Sequence, residues 1–435
     1  MKLNRRDALF GALFGGTMIG LRSIATGLPA KLLLDPRKAL ADEQTCHASA
    51  SAQFVILSTS GGGDPLNANA PGTYDDSNIS HPLDDPMKKT SMMIGGKQVY
   101  AAAPWATLAD TLKRTSFTHL ATTTPVHPKE PQVLSLMGAT VKQEMFPSVL
   151  SAALAPCLNT LQAQPISVGA STPSESLSFQ GQALPTVPPS ALRATLVNPD
   201  GELTNLQKLR DDSLNKLYSD IYKTGASPAQ KNFIDSLVTS QAQVRKIDPN
   251  FLSSLSQIQD NDEPAQILAA VALIQMRVTP VVTVHFNFGG DNHNDTALGN
   301  ESARTQSGVA SIVSLMQALS QAGLSDKVTF GTLNVFGRTL GPSHTNGRDH
   351  NKNHQVSLAI GRAFRSSVIG GVAKVDDDYG ATGIDPVSGG VGTGIQPADS
   401  LASWARTFMV GCGVDEDVVN QQITSGTVIR GALAS

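Results

Sequence analysis

The chain is poor in cysteine and lacks several familiar catalytic motifs. Three cysteines among 435 residues allow at most one disulfide and leave one thiol over, and we interpret Cys46, Cys157 and Cys412 as structural. The sequence has no nucleotide-binding glycine loop followed by Lys and Ser or Thr, no Gly-x-Ser-x-Gly elbow and no His-Glu-x-x-His pair. These absences argue against P-loop nucleotide hydrolases, α/β-hydrolases and zincin-type metalloproteases.

Long apolar runs are also missing after the first 41 residues. A twin-arginine pattern at Arg5 and Arg6 precedes a weakly apolar stretch, residues 8–20, that is too short for a standard membrane span. A small-residue cleavage signal ends at Ala41, which predicts a signal peptide over residues 1–41; cleavage after Ala30 and an uncleaved anchor are the alternatives. We therefore expect the twin-arginine translocase to export the protein to the periplasm or beyond, with no stable membrane span after cleavage.

The predicted mature chain, residues 42–435, has no excess of positive charge. Removing residues 1–41 takes away seven of the 33 basic residues and two of the 36 acidic residues, which leaves 26 against 34. A net charge near −8 argues against nucleic acid or an anionic membrane as the main partner. The length of this part fits one large domain or a domain with an insertion.

Four segments rich in apolar β-formers predict the buried strands of a parallel sheet. They cover residues 53–58, 117–124, 280–288 and 327–335. A helix predicted over residues 301–322 lies between the last two, so a right-handed parallel crossover is expected there. Residues 200–276 carry apolar side chains at helical spacing and predict a mostly helical insertion or side layer. The pattern indicates an α/β fold.

Acidic and histidine side chains follow each of the four predicted strands. They are Asp64, His127, Asp291, His293, Asp349 and His350. The loops that follow parallel strands lie at the same edge of a sheet, where open α/β folds bind their ligands. Carboxylate and imidazole groups are ligands for divalent metals. We therefore expect a metal site at this edge, although each residue alone has a surface or helix-capping role as its alternative.

The C-terminal motifs resemble a known family. They are Phe336-Gly337-Arg338-Thr339, Gly347-Arg348-Asp349-His350-Asn351, Ile369-Gly370-Gly371 and Pro397-Ala398-Asp399. The upstream motifs that agree with them are Arg5-Arg6-Asp7, Gly61-Gly62-Gly63-Asp64 and Gly290-Asp291-Asn292-His293. Together these motifs are similar to those of the uncharacterised twin-arginine-exported family of domain of unknown function 1501. That family is similar to sulfatases within the alkaline phosphatase superfamily. The resemblance covers nearly all of the mature chain and is weakest in the helical middle.

The resemblance implies a three-layer α/β/α sandwich, alkaline-phosphatase-like, with a mononuclear or binuclear site for divalent metal (Zn, Mg, Mn or Ca). By this analogy Asp64, Asp349 and His350 bind one metal, and Asp291 with His293 binds another. Arg338 or Arg348 would clamp a tetrahedral anion, because guanidinium groups match such oxyanions. A structural ion pair is the alternative role for each arginine.

The chain departs from the superfamily at the nucleophile. Where a Ser, Thr or modified Cys is expected, the sequence offers Thr124 as the best-placed hydroxyl, with no Cys nearby. His127 is a candidate ligand or base, with a bond to a backbone group as its alternative role. The family's acidic residue before Phe-Gly-Arg is replaced by Val335. Two functions follow: an exported metal-dependent hydrolase acting on a small anionic phosphate or sulfate ester, or a non-enzymatic periplasmic binding or assembly protein with a degenerate fold of this type.

Overall fold

The computed structural model describes residues 51–160, 162–169, 177–196, 216 and 255–434. The predicted signal peptide, Cys46 and most of the predicted insertion at 200–276 lie outside these ranges. Within them, Cys157 is disulfide-bonded and Cys412 is a buried free thiol. None of the described helices combines the length and hydrophobicity that a bilayer crossing requires.

A seven-stranded sheet forms the centre of the molecule. Its strands, in chain order, are β1 (Phe54–Ser60), β2 (Thr115–Leu120), β3 (Ile166–Ser167), β4 (Val281–Val284), β5 (Val328–Asn334), β6 (Gln355–Ile360) and β7 (Ser367–Ile369). Their spatial order is β7-β2-β6-β5-β1-β4-β3. All neighbours are parallel except those of β6, which runs antiparallel to β2 and β5. The carboxyl ends of β1, β2, β4 and β5 therefore share one edge, as predicted.

Helices cover both faces of the sheet. They are α1 (Leu66–Asn69), α2 (Glu130–Leu134), α3 (Phe146–Leu158), α4 (Pro189–Leu196), α5 (Glu263–Gln275), α6 (Gly299–Gln321), α7 (Ser400–Gly411) and α8 (Glu416–Gln422). Side chains alternate along a strand, so Phe54 and Ile56 of β1 pack in one core with α5 and α6, while Val55 and Leu57 pack in a second core with α3 and α7. The result is a mixed α/β fold of three layers with a mostly parallel sheet.

Four two-stranded antiparallel pairs and several short 3-10 helices lie outside the central sheet in the described part of the chain. The antiparallel pairs are Lys89–Ile94 with Lys97–Ala102, Ser178–Phe179 with Gln182–Ala183, Gly337–Arg338 with His350–Asn351, and Val372–Val375 with Asp378–Ala381. The third hairpin matters most for function, because it fastens Arg338 beside His350 at the carboxyl edge of the sheet.

The four predicted strands and the predicted helix over 301–322 are confirmed, with shifted ends. The strand predicted over 280–288 stops at Val284 because side chains take over the next two backbone N–H groups. His285 donates to Gln266 Oε1 at 2.7 Å, and Phe286 donates to Ser58 Oγ at 3.1 Å. The chain is thereby released from the sheet and turns into the loop that carries Asp291.

Candidate metal centre

Among the described residues, His127, Asp291 and His350 bring together a group of potential metal-ligand atoms. One ligand atom from each lies within 4.8 Å of the other two. Asp291 has His127 Nε2 at 3.6 Å from its Oδ2, and His350 Nε2 at 3.7 Å from its Oδ1. His293 joins this group, with its Nε2 3.2 Å from Asp291 Oδ1 and 2.9 Å from His350 Nε2. Three imidazoles and a carboxylate therefore converge from the loops that follow β2, β4 and β5.

The other ring nitrogen of each histidine has a hydrogen-bond acceptor of its own. His127 Nδ1 lies 2.7 Å from the Gly61 carbonyl oxygen, and His350 Nδ1 lies 2.5 Å from that of Pro125. A carbonyl oxygen only accepts, so both Nδ1 atoms carry the hydrogen. His293 Nδ1 donates in the same way to the Asp349 carboxylate at 3.1 Å. These bonds fix the tautomer and orient each ring, as backbone and carboxylate partners do for metal-bound histidines.

The three Nε2 atoms therefore present lone pairs to one another when the rings are neutral. Burial, reinforced by the positive charge of Arg338, lowers the pKa of His350 below its ordinary value, which favours the neutral ring. Two unprotonated nitrogens 2.9 Å apart repel each other unless a proton on one ring or a metal cation lies between them. His127 Nε2 is buried and has no hydrogen-bond partner among the described residues. Neutral imidazoles with one carboxylate fit a divalent transition metal.

Asp291 stays ionised in this setting. Its partial burial opposes the charge, but the Arg338 guanidinium, whose Nη2 lies 3.0 Å from Oδ1, and the nearby His293 and His127 when their rings are protonated outweigh that effect and lower the pKa of the carboxyl. The side chain keeps about half of its surface, 51%, exposed. An ionised, accessible carboxylate is the form that binds a metal.

Arg338 is present at the site but its guanidinium is already engaged. The side chain is fully buried; Nε donates to the Gly63 carbonyl, and Nη2 donates to the carbonyls of Gly62 at 2.7 Å and Gly290 at 3.1 Å as well as to Asp291. Arg338 therefore ties the glycine-rich loop after β1 to the loop after β4. Its predicted role as an anion clamp stays a prediction, and these contacts leave it little freedom to rotate toward a substrate.

Asp64 and Asp349 take different positions from those that the analogy implied. Asp64 is buried, 3% exposed, and its Oδ1 accepts from the Gly290 N–H at 2.7 Å. Asp349 is exposed and contacts His293 rather than standing beside His350 as a joint ligand. The analogy assigned Asp291 and His350 to different metals, whereas the structure places them in one cluster. Asp64 and Asp349 as metal ligands stay predictions.

Thr124, the predicted nucleophile, is 4% exposed. It precedes Pro125, whose carbonyl holds His350, and it follows Thr123, whose φ of +60° is rare for a side chain of this type. The loop is thus tied to the site, while the Thr124 hydroxyl has little access to anything outside the protein.

Two residues of the site were not expected from the sequence. The Phe336 ring lies against His350 and His127, with centroids 4.3 and 4.8 Å apart. Gly63 makes room for it, since a Cβ there would stand 2.0 Å from the Phe336 ring. Glu301 is fully buried and pairs with Arg348. Phe336 stands in a motif that the resemblance already highlighted, whereas nothing local distinguishes Glu301 from an ordinary acid in the first turn of a helix.

No protein-family model matches this chain, and no curated protein matches it. Among solved structures, it is similar to the crystal structure of Ps i-CgsB in complex with k-i-k-neocarrahexaose, with 8% identity, a TM-score of 0.34, and coverage of 86% of this chain and 74% of that chain. It is also similar to the structure of BT4656 in complex with its substrate D-glucosamine-2-N,6-O-disulfate, with 11% identity, a TM-score of 0.30, and coverage of 87% and 81%. Similarities at this level say nothing about the activity of this chain.

Proposed function

We propose that this protein is a metal-dependent hydrolase of phosphate or sulfate esters. The observation that carries the proposal is the convergence of three Nε2 lone pairs on the Asp291 carboxylate, with the Nδ1 hydrogen of every ring committed elsewhere. Imidazole-rich sets suit zinc, whereas magnesium and calcium prefer oxygen ligands. Zinc is therefore the metal that this donor set favours.

The residues of the candidate metal centre have separate roles. His127, His293, His350 and Asp291 would hold the ion, which when bound would supply Lewis acidity toward a phosphoryl or sulfuryl oxygen. Asp349 keeps the proton on His293 Nδ1 and thereby keeps Nε2 free. Phe336 packs against two of the rings and shields them from water. Arg338 fixes the spacing of two loops.

We also propose that the protein belongs to the twin-arginine-exported family that its motifs resemble, with an alkaline-phosphatase-like fold and a periplasmic location. The three-layer architecture with a site at the carboxyl edge of the sheet supports this assignment. The disulfide at Cys157 supports export, because disulfides persist in oxidising compartments.

The burial of Thr124 favours one alternative. A hydroxyl that is 4% exposed is poorly placed to attack a substrate, so a metal-binding protein without catalysis, serving binding or assembly in the periplasm, is the second candidate. Both candidates contain the metal, and they differ only in turnover.

The first experiment is a zinc titration of the metal-free protein. We expect wild type to bind about one zinc ion, and His350→Ala to bind it at least tenfold more weakly because one ligand is gone. His344→Ala is the matched control, since this histidine lies in the same loop and outside the cluster. A wild type that binds no zinc, or a His350→Ala variant that binds it normally, contradicts the metal centre.

The second experiment separates the two candidates. Zinc-loaded wild type is assayed with aryl phosphate and aryl sulfate esters, beside His350→Ala and Thr124→Ala. We expect turnover that disappears in His350→Ala and persists in Thr124→Ala, given the burial of the threonine hydroxyl. Loss of turnover in a folded Thr124→Ala that still binds zinc would restore this residue as nucleophile. The absence of turnover by zinc-loaded wild type would favour the binding protein.

A further inference from the structure

A buried ion pair lies next to the candidate metal centre. The Arg348 and Glu301 side chains are both fully buried, with Nε 2.6 Å from Oε2 and Nη2 3.1 Å from Oε1. Two parallel N–H···O bonds of this kind define direction as well as distance. Glu301 stands in the first turn of α6, and Arg348 stands in the loop after β5. The pair therefore joins two elements that meet at the edge of the sheet.

The pair is adjacent in sequence to residues of the metal cluster. Arg348 is followed directly by Asp349 and His350. Asn292, which stands between Asp291 and His293, donates from Nδ2 to Glu301 Oε2 at 3.1 Å. The two loops also bond directly, because the Arg348 N–H donates to the Asn292 carbonyl at 3.0 Å. Glu301 thus contacts both ligand-bearing loops, through the buried Asn292 of one and the buried Arg348 of the other.

The rest of the pair's hydrogen-bonding capacity is filled from the surrounding framework. Asn69 donates to Glu301 Oε1 at 3.2 Å, and the Glu301 N–H donates to Asp295 at 2.8 Å. Arg348 donates to the carbonyls of Ser80 at 2.7 Å and Thr339 at 2.8 Å. A buried charge with every partner in place has one favourable arrangement, because any shift leaves a desolvated group unpaired. The loops are accordingly held at a fixed separation.

We propose that Glu301 is a positioning residue for the metal centre and that, through Arg348 and Asn292, it sets the affinity for zinc. This inference rests on the proposed metal centre and adds a residue outside the ligand set. Loss of the Glu301 charge weakens its bonds to Asn292 and Arg348, which hold the two loops. Asp291 and His293 then no longer keep their distances to His350. Partners of metal ligands typically contribute ten- to hundred-fold to affinity.

The test compares zinc affinity with stability in Glu301→Gln. We expect zinc to bind ten- to hundred-fold more weakly than to wild type, measured by competition with a chromophoric chelator well below the melting temperature of each protein. Phe408→Leu is the control: Phe408 is buried in the core on the α7 face, so its truncation lowers the melting temperature and leaves zinc affinity unchanged. This control separates positioning from a general loss of stability.

A second variant covers the case in which Glu301→Gln does not fold. Glu301→Leu with Arg348→Met replaces the pair by apolar side chains of similar volume, which proteins often tolerate. It removes the acceptor of Asn292, so we again expect at least a tenfold loss of zinc affinity. Affinity within twofold of wild type in either folded variant overturns the inference. If wild type itself binds no zinc, the proposed metal centre fails, and the inference fails with it.

Discussion

At the scale of single residues, the assignment of hydrogens is what distinguishes this cluster from a chance meeting of polar side chains. Surface histidines and carboxylates often lie close together. Here His127 and His350 donate from Nδ1 to carbonyl oxygens, which cannot donate in return. The Nε2 atoms of His293 and His350 are therefore left facing each other at 2.9 Å, where either a proton on one ring or a metal ion can lie between them.

Gly347 lies where a side chain would collide with the backbone of a candidate metal ligand. Its φ is +128°, and a Cβ there would stand 2.0 Å from the His293 carbonyl oxygen and 2.5 Å from the carbonyl carbon. Gly347→Ala must therefore displace the backbone of a candidate ligand. We expect at least a tenfold loss of zinc affinity by chelator competition and a loss of about 2–4 kcal/mol in the free energy of unfolding by urea titration.

Gly96→Ala is the matched control for Gly347→Ala. Gly96 also has a positive φ, +77°, but its Cβ would meet no atom within 4 Å. We expect only the conformational cost of about 1–2 kcal/mol and unchanged zinc affinity. Equal zinc affinities for the two variants would show that contact with His293 does not constrain the centre.

At the scale of elements, the local sequence pattern predicts β1, β2, β4 and β5, whose following loops carry the candidate ligands. It does not predict β6, which lies between β5 and β2. Runs such as Phe54–Ser60 and Val328–Asn334 are apolar and β-branched, so their burial follows from composition. Gln355–Ile360 contains Gln355 and Ser357, which are buried as well. Its antiparallel place between β5 and β2 depends on partners distant in sequence, and no local signal specifies them.

Two aspartates at helix beginnings separate helix stability from support of the metal centre. Asp262 accepts from Ala265 N–H at 2.9 Å at the start of α5, and Asp295 accepts from the N–H groups of Asn300 and Glu301 at 2.8 Å each at the start of α6. We expect either alanine variant to lose about 1 kcal/mol of unfolding free energy. Only Asp295→Ala should weaken zinc binding, because it frees the backbone of Glu301.

The measurement for this pair is urea unfolding of the metal-free proteins together with zinc titration. Normal zinc affinity in Asp295→Ala, or a loss of zinc affinity no larger than that of Asp262→Ala, would contradict the link between the start of α6 and the metal centre.

At the scale of the whole molecule, the sheet topology explains which part of the site the sequence predicted. Parallel strands bring the loops after β1, β2, β4 and β5 to one edge, so the gathering of Asp and His residues there follows from strand order alone. Which of them touch is determined by loop conformation. Gly63 has a positive φ and its carbonyl accepts from Arg338, the neighbouring Asp64 accepts from the Gly290 N–H, and Gly347 packs against the His293 backbone. None of these contacts is visible in a linear pattern.

A pair of histidines outside the metal cluster links global stability to pH. His119 and His354 are fully buried, and His119 Nε2 donates to the Pro71 carbonyl at 3.0 Å. His119 Nδ1 therefore accepts from His354 Nε2 at 2.9 Å, and His354 Nδ1 accepts from Asn67 at 3.2 Å. This chain of hydrogen bonds is complete with both rings neutral and has no acceptor for a further proton.

Acid should therefore destabilise the fold in a defined range. Burial lowers the pKa of His119 to about 4 and that of His354 well below its usual value, whereas unfolded histidine titrates near 6.5. Below about pH 6.5 the unfolded chain binds protons that the folded chain excludes. The stability from this pair is thus complete above that pH and is lost as the pH falls toward 4, by roughly 3 kcal/mol for His119 alone.

The test is urea unfolding between pH 7.5 and pH 4.5 with a chelator present, so that metal binding adds no pH dependence of its own. His119→Gln combined with His354→Gln removes both titrating rings of this pair, so the slope of unfolding free energy against pH should flatten even if the absolute stability is lower. His344→Ala, which removes a partly exposed histidine, should keep the wild-type slope. Parallel curves for wild type and the double variant would mean that acid acts on the fold elsewhere than through this pair.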